Sequence, residues 1–139
     1  MTIETIAAQL TIDEGSVSYA YQDSLGYWTI GVGTLIDKRK GGGLRPNEIQ
    51  YILYNRIAEA LDNCTKLYPK FGSFSNSRQD ALANLMFNMG LTTMSSFHNT
   101  VAAINEGKWS EAQEGLRNSL WYKQVGARAD RIIAALAIS

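Results

Sequence analysis

Glu14, Asp23 and Thr29 are the residues of this chain whose types and spacing could do chemistry together. Hydrolysis of a glycosidic bond needs one carboxyl group that protonates the leaving oxygen and another that handles a water or the cationic centre. Those roles require different surroundings. Glu14 falls at the predicted C-terminal end of a short helix. There the backbone dipole presents negative charge, which disfavours a carboxylate and favours the protonated acid. Asp23 falls at a predicted hairpin turn, open to solvent that would keep it ionised. Thr29 follows on the next predicted strand. Its hydroxyl can donate and accept, so it could hold a water against Asp23. The spacing alone favours an ordinary surface over this chemistry, because helix-end and turn carboxylates are commonly just solvated.

The elements that must position these groups can be read from periodicity. Thr5 to Glu14 predicts a helix with Ile6 and Leu10 on one face, and Gly15 stands where a left-handed C-terminal cap is favoured. Val17 to Tyr21 and Tyr27 to Val32 are rich in β-formers, and Ser24-Leu25-Gly26 between them predicts a hairpin turn. Leu35-Ile36 predicts a third short strand, and Gly41-Gly42-Gly43 breaks the chain. Pro46 suits a first helical position. Ile49, Ile52, Leu53, Ile57, Ala60, Leu61 and Cys64 then recur at helical spacing until Pro69. A helix bearing Leu82, Leu85, Met86 and Met89 is expected to stop at Gly90. Further helices are expected through Phe97, Val101 and Ile104, after Ser110, and over Ala127 to Ala137. The expected architecture is α+β and mostly helical. It is one domain, 1–139, with a helix-plus-hairpin lobe (1–45) and a helical lobe (70–139) joined by a long helix (46–68). A cleft between two such lobes is a natural ligand site.

Composition narrows the function classes. Hydrophobic residues make up 45% of the 139-residue chain, enough for a real core, so global disorder is not expected. No apolar run reaches membrane-spanning length, and the first residues show no export signal. The single cysteine, Cys64, excludes an intrachain disulfide and fits a reducing compartment. Its place on an apolar stripe marks it as a small buried hydrophobe. His98 has no second histidine or cysteine at ligand spacing, so no metal is expected. Residues 1–34 carry no Lys or Arg, whereas residues 35–70 hold Lys38, Arg39, Lys40, Arg45, Arg56, Lys66 and Lys70. That asymmetry could guide an anionic polymer, and a solvated surface explains it equally well. No nucleic-acid stripe is visible.

Ile12-Asp13-Glu14-Gly15 and Gly26-Tyr27-Trp28-Thr29-Ile30-Gly31-Val32-Gly33 resemble the active-site segment of glycoside hydrolase family 24, the T-even phage lysozyme type. That family spaces Glu, eight residues, Asp, five residues, Thr, as this chain does. The resemblance resumes at Ala83-Asn84-Leu85-Met86-Phe87-Asn88-Met89-Gly90 and continues through Gly107-Lys108-Trp109-Ser110-Glu111-Ala112. Trp121-Tyr122 and Arg128-Ala129-Asp130-Arg131 complete it. It implies a lysozyme fold and a muramidase that cuts peptidoglycan between N-acetylmuramic acid and N-acetylglucosamine with inversion. Glu14 would be the general acid, Asp23 the base or electrostatic partner, and Thr29 a guide for the attacking water. Inversion needs carboxyl groups roughly 6.5–9.5 Å apart to admit that water. By the same resemblance Leu35, Phe87 and Thr100 would line the saccharide cleft, and Arg128 would pair with Glu14. The reading calls for no cofactor and no membrane span, and for a monomer. It also implies a host-cytoplasmic protein that reaches the cell wall on lysis, or a component of a virion.

The chain departs from the family pattern at Thr34, where a histidine is typical, and at Gly115 and Leu120, where polar residues are typical. These departures keep open a second reading, an inactive lysozyme-fold module that binds cell wall or a protein partner. Release of soluble muropeptides separates the two. Of the tryptophans, Trp109 and Trp121 are expected in the core.

Overall fold

The computed structural model describes residues 2–22, 25–31, 34–35 and 43–139, with only the backbone of residue 14 and residues 17–19. These residues divide into two compact units, Met1–Ile52 and Leu53–Ser139. The division falls within one long helix, and each unit is built by its own local rules.

In the first unit, α1 spans Ile3–Glu14. It starts earlier than the periodicity predicts because Thr2 caps it: the Thr5 N–H donates to Thr2 Oγ1, and the Thr2 N–H donates to Thr5 Oγ1. A threonine takes the place that Glu or Gln usually fills in such a box. Gly15 ends the helix at φ 76° and donates its N–H to the Thr11 carbonyl. Strands β1 (Val17–Gln22), β2 (Trp28–Gly31) and β3 (Thr34–Leu35) follow as an antiparallel sheet in the order β1-β2-β3. Tyr21 pairs with Thr29 and Gln22 with Trp28, and the register shifts between Val17 and Tyr21. Of the third strand expected at Leu35-Ile36, Leu35 lies in β3 and Ile36 lies outside the described residues, as do Val32, Gly41 and Gly42.

Helix α2 runs Pro46–Leu67. Glu48 reaches back to accept the Arg45 N–H at its start, and this hydrogen bond lowers the Glu48 carboxyl below its ordinary value. Arg45 also donates to the Leu35 carbonyl, which ties β3 to the head of the helix.

The second unit is all helical among its described residues. A 3-10 turn at Phe71–Ser73 leads to α3 (Asn76–Ser95), α4 (His98–Asn105), α5 (Trp109–Arg117), α6 (Leu120–Val125) and α7 (Ala127–Leu136). Ser75 caps α3. At Gly90 the backbone leaves helical geometry (φ 81°, ψ 165°), so the expected stop is a kink and helical turns resume to Ser95. The short α6 has no apolar period; it is set by the Ser119 hydroxyl, which accepts the Tyr122 N–H.

The core of this unit draws one or more residues from every helix: Cys64, Leu82, Leu85, Met94, Ile104, Leu116, Trp121, Ile133 and Leu136 are buried in it. Trp121 sits in the core as expected and donates its indole N–H to Asn88 Oδ1 at 2.7 Å. Trp109 is half-buried, edge-on to Phe74 and under the Arg78 guanidinium. Of the apolar stripe expected along α2, Ala60 and Cys64 are buried.

Candidate active site

Glu14 is the last residue of α1, with Gly15 capping immediately after it. The backbone thus stands where the spacing predicts it, at the negative end of a helix. Its side chain and the whole of Asp23 lie outside the described residues.

Thr29 lies in the middle strand of the sheet and pairs with Tyr21 on one side and Leu35 on the other. The fold therefore makes neighbours of two residues that the sequence marks separately, Thr29 and Leu35. Thr29 is buried, while Leu35 is solvent-exposed. The Thr29 hydroxyl donates to the Tyr27 carbonyl at 3.2 Å. A hydroxyl has one proton and two lone pairs, so a Thr29 Oγ that has given its proton to the backbone meets any further partner as an acceptor.

In the second unit, Phe87 and Arg128 line one pocket of about 410 Å³ with Asn84, Asp80 and the apolar Leu53, Ile57 and Leu61. Phe87 is exposed and also borders a second pocket of about 550 Å³, walled by Arg56, Glu59, Asn63, Gly90 and Thr92. The Arg128 guanidinium donates through Nε and Nη2 to one oxygen, Asn84 Oδ1, at 3.1 and 2.7 Å. Thr100 lies apart from both pockets. It is 5% exposed and packs against the bare backbone of Gly115. Thr34 is an exposed residue of β3, and Leu120 is an exposed first residue of α6.

Sequence reasoning missed Asn84 and Asn88. Each lies on α3, three residues before or one residue after Phe87, and their helical phase was the available signal. Their roles, as acceptors for Arg128 and Trp121, depend on partners far along the chain. Among the described residues no group of His, Cys, Asp and Glu could hold a metal.

The profile of the phage lysozyme family matches residues 12–136, from just before Glu14 to the end of α7. The chain belongs to the phage lysozyme family. As a member it is a glycoside hydrolase of peptidoglycan, a muramidase. The protein named "Probable T4-type lysozyme 2" of Dictyostelium discoideum is 28% identical to it, over 95% of this chain and 93% of that protein. The pre-baseplate central spike protein Gp5 of Enterobacteria phage T4 is 29% identical over 92% of this chain but only 27% of its own length. The peptidoglycan hydrolase gp36 of Pseudomonas phage phiKMV is 30% identical over 85% of this chain and 13% of its own. The same segment is thus matched both by a protein of similar length and by parts of longer phage proteins.

Proposed function

We propose that Glu14, Asp23 and Thr29 cleave the β-1,4 linkage between N-acetylmuramic acid and N-acetylglucosamine by direct displacement with inversion. Glu14 gives its proton to the glycosidic oxygen as the bond from that oxygen to the anomeric carbon breaks. A water attacks the opposite face of the same carbon and passes a proton to Asp23. The proton balance leaves Glu14 ionised and Asp23 protonated, and exchange with solvent restores both.

The observation that carries this reading is the Thr29 hydroxyl, which donates to the Tyr27 carbonyl. With its proton committed, Thr29 accepts one hydrogen of the attacking water, and Asp23 accepts the other. The water is left with a lone pair to aim at the sugar. The helix-end position of Glu14 supports its role as the acid.

In this reading Arg128 contributes positive charge as a supporting residue, and its guanidinium donates to Asn84 Oδ1. Leu35 and Phe87 offer exposed apolar surface to the sugar rings. Thr100, buried against Gly115 and apart from both pockets, makes no contact with the sugar in this reading. The chain acts as a monomer on the insoluble polymer. Two of the phage relatives carry the matching segment within longer proteins, one of them a baseplate spike, which supports work on the cell wall from a virion as well as during lysis.

Glu14→Gln tests the assignment, since it keeps the shape and removes the transferable proton. Release of soluble muropeptides from purified peptidoglycan should fall by at least ~10²-fold, the low end of what general acid catalysis supplies, with the fold intact by circular dichroism. Near-normal release by the folded variant removes Glu14 from the mechanism.

A further inference from the structure

We infer that the pocket of about 550 Å³ between α2 and the kinked α3 holds the peptide stem of peptidoglycan, the part of the substrate that carries carboxylate and ammonium groups. The inference rests on the chain's activity toward peptidoglycan and not on which residues cleave the sugar linkage. Every residue that lines the pocket falls in the helical unit, Leu53–Ser139.

Local sequence builds the two walls. Arg56, Glu59, Ala60 and Asn63 recur at three- and four-residue steps, so they share one face of α2. The other wall is α3: Met86 and Phe87 stand about one turn before the kink at Gly90, and Leu91 and Thr92 follow it. The lining is sorted by polarity. Ala60 and Met86 are 5% and 2% exposed and give the pocket an apolar depth. Arg56, Glu59 and Thr92 are exposed, and Asn63 is half-buried.

The charges of this lining are Arg56 and Glu59, opposite in sign and poorly joined. Arg56 Nη1 and Glu59 Oε2 lie 3.9 Å apart, at the outer limit of an ion pair, and both side chains are mostly in solvent. Water screens such a pair, so little holds the two groups to each other. A guanidinium and a carboxylate one turn apart match a ligand that brings a carboxylate and an ammonium group together. The guanidinium takes the carboxylate through parallel N–H donors, and Glu59 takes the ammonium. Asn63 and Thr92 offer an amide and a hydroxyl to the peptide groups between. The apolar depth suits alanine methyl groups. The glycan strand brings no such pair of charges: its amino groups are acetylated, and the muramyl carboxyl is consumed in the amide bond to the stem. Charge complementarity therefore selects the stem over the sugar.

Nitrogen-15 NMR of the full chain tests this with two probes that lack the linkage a muramidase cuts. One is the N-acetylglucosaminyl-N-acetylmuramyl disaccharide. The other is the same disaccharide bearing a tetrapeptide stem with a diamino acid. The stem-bearing probe should shift the amide signals of Arg56, Asn63 and Thr92, and the bare disaccharide should leave them in place. Arg56→Gln and Glu59→Gln should each raise the Kd of the stem-bearing probe by about 10-fold, the loss of one charge-assisted contact, with little change in Tm. On intact peptidoglycan both variants should raise KM far more than they lower kcat. Equal shifts from the two probes would make this a sugar site and overturn the stem assignment. No shift from either, while the wild type releases soluble muropeptides, would remove the pocket from binding and leave the muramidase activity standing. A wild type that releases nothing yet binds the stem-bearing probe here would keep the stem site and overturn the muramidase reading instead.

Discussion

The Oγ of Thr100 on α4 occupies the space that a side chain on residue 115 of α5 would need. A β-carbon built on Gly115 overlaps that hydroxyl, while the Thr100 β-carbon lies at an ordinary 3.6 Å. The two helices approach closely because one of them has no side chain at this point. With the Thr100 Oγ filling the space, any side chain at position 115 would have to displace it.

Gly115→Ala is therefore expected to destabilise the helical unit by about 1–3 kcal/mol, the usual cost of overpacking. Adding Thr100→Ala removes the offending oxygen and should recover much of the loss. A double-mutant cycle by urea unfolding reads the coupling. Simple additivity of the two substitutions would show that the overlap is relieved elsewhere.

Gly15 supports Glu14 through the backbone alone. It sits at φ 76° and ψ 166°, a region essentially reserved for glycine, and among the described residues nothing lies within 4 Å of a β-carbon built there. Gly15→Ala should cost about 1–2 kcal/mol from backbone strain. The end of α1 should re-form to relieve that strain and carry Glu14 with it, so activity should fall further than the stability loss alone requires. Calorimetry and muropeptide release on the same sample compare the two. An unchanged rate would mean that Glu14 does not depend on this cap.

The proposed water between Asp23 and Thr29 predicts a stereochemical course. Direct attack yields the α-anomer as the first product, and proton NMR in the first turnovers can read it before mutarotation. A β-anomer appearing first would require a covalent intermediate and would remove the water-guiding role from Thr29.

Alkaline stability is set partly by the core of the helical unit. Burial pushes the Cys64 thiol up to about 12 and pushes the Tyr68 hydroxyl well above its ordinary value, with the neighbouring Cys64 adding to the latter. Both groups prefer their neutral form when folded. Their contribution is whole below the unfolded pKa, near 8.5 for a thiol, and is lost as pH rises from there through the folded value. Each group that ionises only on unfolding steepens the loss by about 1.4 kcal/mol per pH unit. Unfolding free energy should therefore decline between about pH 9 and 12, and less steeply in Cys64→Ala. Equal slopes for the two proteins would mean that the thiol reaches solvent in the native state.

Much of this was legible from local rules. The end of α1 at Glu14 followed from one glycine, and the hairpin with Thr29 on its second strand followed from a β-rich run on either side of a turn. The long helix from Pro46 followed from a repeating apolar period. Each of these depends on residues within a few positions of one another, which is the range over which backbone propensity and side-chain period act. The start of α1 and the existence of α6 were missed because a Thr-Thr box and a lone Ser119 cap carry little weight beside an apolar period. What only the tertiary structure decided involves residues tens of positions apart. Arg128 meets Asn84 across 44 residues, and Trp121 meets Asn88 across 33. Thr100 and Gly115 share one space, and Thr29 and Leu35 share one rung of a sheet. No local period encodes such pairs, because the partner of a polar side chain is settled only when the helices and strands that carry it have packed.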